Sequence, residues 1–431
     1  MILIKNGRVM DPESGLDQIS DILIEDEIII KIDKFIPEEG IEEVIDAEGM
    51  VVAPGLIDVH VHFRDPGQTH KEDIHTGSMA AKRGGYTTVV CMANTKPPVD
   101  NDETLQYIIN EAKKSDINVF QTAAVTKGLK GAELVDMEHL YKHGALGFTD
   151  DGFPIMNSTL VLKAMKTSKM LNVPISFHEE DPSFITNSGI NEGIVSKKLG
   201  VSGASHLAED IMIARDSILA LESGAKVNIQ HISSGMAVDI IRKAKQMGAN
   251  IYAEAAPHHF VLTEEDVIKY NTNAKMNPPL RTKKDRDEVI EGLKDGTIDI
   301  IATDHAPHSN EEKKSEFTKA PSGIIGLETA LALGITFLVK NNHLSLVQLL
   351  EKMTINPANL YNLKSGRIKE KLQADLVIFN PDEEWTVENF SSKSSNSPFL
   401  GWKLKGLVKY TICRGRIVYK LSNNNEKHII N

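Results

Sequence analysis

The sequence predicts an α/β protein, a (β/α)8 barrel with a small β-rich domain built from both chain ends. Three observations lead to that architecture. Short β runs alternate with helical-period stretches through residues 53–365. Both ends are strand-rich. The strands of the middle close on histidine and aspartate rather than on a glycine-rich turn. A chain of 431 residues has room for one large domain or for two or three of the usual ~100–200 residues.

The first segment, residues 1–52, carries Ile and Val in strand-length pieces at 2–5, 22–25, 28–32 and 50–52, with Asn6-Gly7, Asp11-Pro12 and Glu39-Gly40 as turn punctuation. The last segment, 366–431, repeats the pattern at 375–379, 407–413 and 416–419, with Arg414-Gly415 as a turn. Pairing the two ends into one domain is the economical solution. The Ser-rich run 391–397 reads as a loop. Between the ends, eight β runs stand at 56–62, 87–92, 118–124, 147–150, 173–178, 226–231, 250–255 and 299–303. Helical-period segments such as 102–114, 158–171, 205–223 and 236–248 separate them. Eight βα units suit a closed barrel. An open doubly wound sheet is the alternative, but its first strand would lead into a Gly-rich phosphate turn. Here that strand ends in His60-Val61-His62.

Charge and composition narrow the function. With 48 basic and 60 acidic side chains the formal charge is −12, which argues against a general nucleic-acid binder. The chain is 41% hydrophobic and 25% charged, as in globular proteins. Two cysteines, Cys91 and Cys413, exclude a disulfide scaffold or thiolate zinc finger. Apolar runs fall short of the ~20 residues of a membrane helix. Met1–Asn6 enters strand alternation at once, without a signal-peptide core, so the expected compartment is the cytoplasm.

His60 and His62 share a face of the first barrel strand, about 6.6 Å apart. Alone they are also compatible with hydrogen-bonded core histidines. The other strand ends change the weighting. His178, His231 and Asp304 end the fifth, sixth and eighth β runs, and Asp150-Asp151 ends the fourth. The C-terminal rim is where this barrel places its active site. Histidines and carboxylates gathered there are costly to bury unless a cation neutralises them. Imidazole and carboxylate without thiolate suits Zn²⁺, with Mn²⁺, Co²⁺ or Fe²⁺ compatible. The number of candidate ligands suggests two metals. Arg64 continues the alternation of His60 and His62, and a guanidinium there would bind a carboxylate bidentately. The bland alternative is a surface ion pair with Asp65.

The stretches Asp58-Val59-His60-Val61-His62-Phe63-Arg64-Asp65-Pro66 and Ala302-Thr303-Asp304-His305-Ala306-Pro307-His308, followed by Lys313, resemble the signature motifs of dihydroorotase, of the bacterial class I type, in the amidohydrolase superfamily. Pro54-Gly55-Leu56-Ile57-Asp58, Met92-Ala93-Asn94-Thr95, Phe148-Thr149-Asp150-Asp151-Gly152 and Ser397-Pro398-Phe399 extend the resemblance along the chain. It implies reversible cyclisation of N-carbamoyl-L-aspartate to L-dihydroorotate in pyrimidine biosynthesis. Hydroxide held between two Zn²⁺ would be the nucleophile, and Asp304 the general acid/base and a metal contact. The implied metal ligands are His60, His62, Asp151, His178, His231 and Asp304. The implied substrate contacts are Arg64, Asn94, Asn277, His308, Ser322 and Gly323. Many relatives bridge their metals with a carbamoylated lysine on the fourth strand. This strand has none, and the match to the bacterial branch gives the bridging place to Asp151. A homodimer and an aspartate carbamoyltransferase partner also follow from the resemblance. The competing readings are a hydantoinase, dihydropyrimidinase or allantoinase, which generally lack an arginine at the place of Arg64 and use a bridging lysine, and a catalytically silent scaffold barrel. His258-His259 and His305 are candidates for orienting ligands. His70, His75, His139, His143, His206, His343 and His428 read as ordinary helix or surface residues, Cys91 as core, and the charged runs 283–287 and 311–314 as solvated faces or lid edges.

Overall fold

The computed structural model describes residues 1–422. The end of the 366–431 segment, with His428, lies outside the described residues. The amino-terminal strands are β1 (Ile2–Asp11), β2 (Leu16–Glu25), β3 (Ile28–Asp33), β4 (Glu43–Asp46) and β5 (Val51–Pro54). Eight strands follow: β6 (Leu56–Val61), β7 (Tyr86–Cys91), β8 (Asn118–Gln121), β9 (Phe148–Thr149), β10 (Ile175–Phe177), β11 (Val227–Ile229), β12 (Ile251–Ala255) and β13 (Ile300–Ile301). The chain closes with β14 (Leu376–Thr386), β15 (Lys403–Cys413) and β16 (Arg416–Lys420).

Strands β6 to β13 are parallel and follow chain order, as β6-β7-β8 and β9 to β13. Isolated parallel bridges, Ala123 to Phe148 and Val61 to His305, join the two arcs into a ring. Asp58 reinforces the second junction by accepting from the amides of His60 and Thr303. The helices Asp102–Ala112, Ser158–Leu171, Leu207–Ser223 and Gly235–Gln246 occupy the expected segments. Asn101 and Asn157 cap the first two through their side-chain oxygens.

The chain ends share one mixed sheet, ordered β16-β15-β14-β5-β1-β2-β3 with β4 beside β1. The junction is β14 against β5, pairing Leu376 with Pro54 and Phe379 with Val51. Three features differ from the sequence reading. Asn6-Gly7 is not a turn but an irregularity inside a longer β1, with the β1–β2 register shifting between Ile4 and Gly7. Asn6 takes φ +59° there, a conformation asparagine tolerates, and an added Cβ on Gly7 would collide with Val52. The strand β4 was not expected, because Glu43 and Asp46 hide its short apolar core. The barrel strands β9 and β13 are also shorter than the runs that suggested them. At the rim the backbone leaves the ladder, and the departure turns side chains into the barrel mouth.

Candidate active site

Four imidazoles and two carboxylates converge at the carboxyl ends of β6, β9, β10, β11 and β13. His60, His62 and Asp151 offer ligand atoms within 4.8 Å of one another, and so do His60, His231 and Asp304, and Asp151, His178 and His231. All six residues are buried. The chain turns sharply where it delivers them: His231 and Asp304 take φ +38° and +46°, conformations that cost energy in residues other than glycine and cluster at functional sites.

Three of the four rings are oriented from behind; His231 is the exception, its Nδ1 buried without a partner among the described residues. The Nδ1–H of His60 donates to Glu254 Oε2 at 3.0 Å, leaving Nε2 to face Asp151 and Asp304, each at 3.4 Å. His62 donates from Nδ1 to Asn94 Oδ1 at 3.0 Å and turns Nε2 to Asp304 Oδ1 at 3.0 Å. His178 donates from Nε2 to Glu180 Oε2 at 3.0 Å, so its Nδ1 faces His231 Nε2 at 2.9 Å. Two ring nitrogens that close need a proton or a cation between them. An imidazole anchored on one nitrogen with the other aimed inward is the usual setting of a metal ligand. His60 Nε2 and Asp151 Oδ1 are buried without a hydrogen-bond partner, as expected of groups whose partner is a metal. The residues therefore fit one.

The electrostatics agree. Burial opposes charge on His60, yet Asp304, Asp151 and Glu254 outweigh it and hold its proton affinity well above that of a free imidazole. Burial likewise opposes charge on Asp304, but His60 and His62 keep it ionised below the ordinary carboxylate range. The cluster is a sink for positive charge.

Asp150 and Asp151 divide. Asp151 faces the four rings. Asp150 turns away and accepts from the amides of Val125 and Thr126, at 2.7 and 3.0 Å, and from the Thr126 hydroxyl.

A cleft of about 310 Å³ opens above the cluster, lined by His62, Arg64, Asn94, Asp151, His178, His231, Asn277, Asp304, His308 and Ser322. Arg64 reaches it by a different route from the one strand alternation implies, because β6 ends at Val61 and Arg64 has φ +59°. Its Nε–H donates to Pro307 O at 3.3 Å. No carboxylate of the described residues pairs with the guanidinium, and Asp65 bonds Tyr107 instead. His308 donates from Nε2 to Ser322 O at 2.9 Å and accepts from Lys71 at Nδ1, 3.2 Å away. Burial, with Arg64 and Lys71 close by, keeps it neutral. Ser322 Oγ donates to Asn277 Oδ1 at 3.1 Å. Gly323 is not brought to the cleft lining. Its N–H donates to Lys275 O, and its carbonyl accepts from Lys313 and Asn396.

Several residues here escaped the sequence reading. Glu254, Glu180 and Gln68, which also lines the cleft, carry no motif of their own; only the alternation that puts Glu254 among apolar neighbours on β12 hints at a buried partner. Asn94, expected as a substrate contact, also holds both His62 and, through Nδ2, the Asp151 side chain at 3.1 Å, a role the sequence did not suggest. Lys313, inside a run read as solvated, is buried and donates to Pro321 O and Gly323 O. His305 meets Glu72 rather than a ligand, and His259 meets the Pro278 carbonyl. Both cysteines are free and buried.

An amidohydrolase family model matches residues 51–418. Among curated relatives, dihydroorotase of Clostridioides difficile (strain 630) is 64% identical over 97% of this chain and 100% of its own length. Dihydroorotase of Clostridium acetobutylicum is 57% identical over the same shares, and that of Lactococcus lactis subsp. lactis is 51% identical over 97% and 99%. Among solved structures, an L-hydantoinase (dihydropyrimidinase) from Arthrobacter aurescens superposes with a TM-score of 0.86 at 24% identity, covering 97% of this chain and 96% of that one. A D-hydantoinase gives 0.85 at 24% identity, over 97% and 95%. At that identity the likeness is one of fold, whereas the sequence relatives extend over nearly the whole chain. The chain belongs to the dihydroorotases, within the amidohydrolase family.

Proposed function

We propose that this protein is a dinuclear zinc dihydroorotase that interconverts N-carbamoyl-L-aspartate and L-dihydroorotate. The observation that carries the reading is a guanidinium, Arg64, that has no carboxylate partner among the described residues and stands on the same cleft as the histidine and aspartate cluster. Hydantoins lack the carboxylate that such a group would bind. His60, His62 and Asp304 would hold one cation, His178 and His231 the other, and Asp151 would be shared. The cations, when bound, supply Lewis-acid activation of water and of the ring amide.

The chain's own residues do the rest. Arg64 forks the substrate carboxylate. Asn277 offers an amide donor, Asn94 lines the cleft beside it with its Nδ2 held by Asp151, and neutral His308 keeps the neighbouring loop in place without adding charge. Asp304, ionised, takes the proton of the attacking water and delivers it to the departing ring nitrogen; closure runs the same transfer backwards. Ring opening creates a second carboxylate and releases one proton, so closure is favoured at lower pH. The test combines metal analysis with turnover of dihydroorotate and of hydantoin, followed by the equilibrium ratio at pH 6 and pH 8. Hydantoin as the better substrate, or a ratio independent of pH, would overturn the assignment.

A cytoplasmic location suits two free, buried cysteines, and no described helix is long and apolar enough to cross a membrane. A homodimer, and association with an aspartate carbamoyltransferase, rest on the family resemblance. Size-exclusion chromatography with and without added carbamoyltransferase tests both.

A further inference from the structure

The run 391–397, polar enough to read as a surface loop, is largely buried, and Asn396 within it is only 1% exposed. Its first half is pinned by two carboxylates. Glu328 accepts from the amides of Ser391 and Ser392 at 2.9 and 3.1 Å. Glu72 accepts from the Ser392 hydroxyl and, at 3.1 Å, from the Lys393 amide. The second half reaches the loops around the cleft through one side chain. Asn396 Oδ1 accepts from the His308 amide at 3.0 Å. Asn396 Nδ2 donates to Ala306 O at 3.0 Å and to Gly323 O at 2.9 Å.

A single amide thus uses its acceptor and both donors to tie the segment after β13 to the segment holding Ser322 and Gly323. An added Cβ on Gly323 would stand 2.5 Å from Ala306 O, so the two segments already touch and leave little room to shift. The residues they carry or hold line the cleft. Pro307 O receives Arg64, Ser322 O receives His308, and Ser322 Oγ reaches Asn277. Asn396 itself does not line the cleft.

We propose that Asn396 is a positioning residue for substrate binding: from the run 391–397, a strap across the two segments, it sets the spacing between the His308 and Ser322 segments, and so the placement of Arg64 and Asn277. This rests on the reading of the cleft as a dihydroorotate site. The metal cluster is oriented by Glu254, Asn94 and Glu180, none of which touches the strap, so the effect falls on binding rather than on turnover.

The test uses the metal-loaded full chain with Asn396→Asp and Asn396→Ala. The aspartate variant fills the same space and keeps an acceptor, but turns lone pairs toward two carbonyls. Both variants should raise KM for dihydroorotate about tenfold, the scale of an unsatisfied buried hydrogen bond, while kcat and metal content stay close to wild type. A residue that only fills space would leave Asn396→Asp with unchanged KM and lower only the melting temperature of Asn396→Ala, which would overturn the proposal. Losses confined to kcat and metal content in the variant that folds would overturn it too. A wild-type protein inactive on dihydroorotate would instead remove the functional reading beneath it.

Discussion

Asp150 and Asp151 are chemically identical neighbours that the fold sends in opposite directions. Asp151 stands among four imidazoles, while Asp150 is consumed by the Val125 and Thr126 amides. Asp151→Ala should therefore bind fewer metal ions per chain, read by elemental analysis, and loading of the wild type should be indifferent to bicarbonate because no lysine needs carbamoylation. Asp150→Ala should retain metal but lose about 1–3 kcal/mol of stability in denaturant, since it strands two buried amides. Asp304→Asn keeps the shape and removes the proton acceptor, so turnover should fall roughly 10²–10⁴-fold; a variant turning over at wild-type rate with metal in place would exclude it from proton transfer. Arg64→Met should weaken productive binding of dihydroorotate by about 1.5–3 kcal/mol, the range of hydrogen bonds to charged groups, seen as a lower kcat/KM. Cyclic amides without a carboxylate should scarcely notice the change, and equal losses on both would point to a structural role.

The helix Ile74–Arg83 shows how an element fixes the site. Asp73 caps it, accepting from the Thr76 amide at 2.8 Å, and its buried face carries Gly77 against the ring of Phe63. Phe63 lies between His62 and Arg64, so a residue with no chemistry of its own sets the depth of two that have it. A methyl group on Gly77 would overlap that ring. Gly77→Ala should cost about 1–3 kcal/mol by overpacking, measured by denaturant unfolding, and should lower metal affinity as His62 is displaced.

At the scale of the whole molecule, the sheet made from both chain ends is packed onto the barrel. Cys413 on β15 hydrogen-bonds weakly to Thr87 O on β7, with Asn118 of β8 donating to its sulfur, both at 3.6 Å. Cys91, on β7, is buried as well. Burial pushes both thiols far above the ordinary cysteine range, so the reactive thiolate is scarce at pH 8. Native protein should show almost no fast reaction with a thiol reagent there. Both cysteines should become reactive together with global unfolding; early exposure of Cys413 alone would mean that the sheet detaches from the barrel.

The chain order of β and helical runs, and the residue types at strand ends, were enough to read the barrel, the shared terminal sheet and the histidine and aspartate candidates. Alternation and strand-end position are local properties, and a metal site declares itself through residues whose burial would otherwise be costly. Other features depend on distant partners and have no local signature. Arg64 enters the cleft through a left-handed backbone step rather than by alternation. Glu254 matters because β12 places it behind His60. Lys313 and the run with Asn396 look solvated in sequence because their polar groups meet backbone carbonyls and amides that only the fold brings alongside, eight and ten residues on for Lys313 and seventy or more away for Asn396. Hydrophobic pattern reports which side chains must leave water, but only the tertiary structure decides which buried polar groups will find each other.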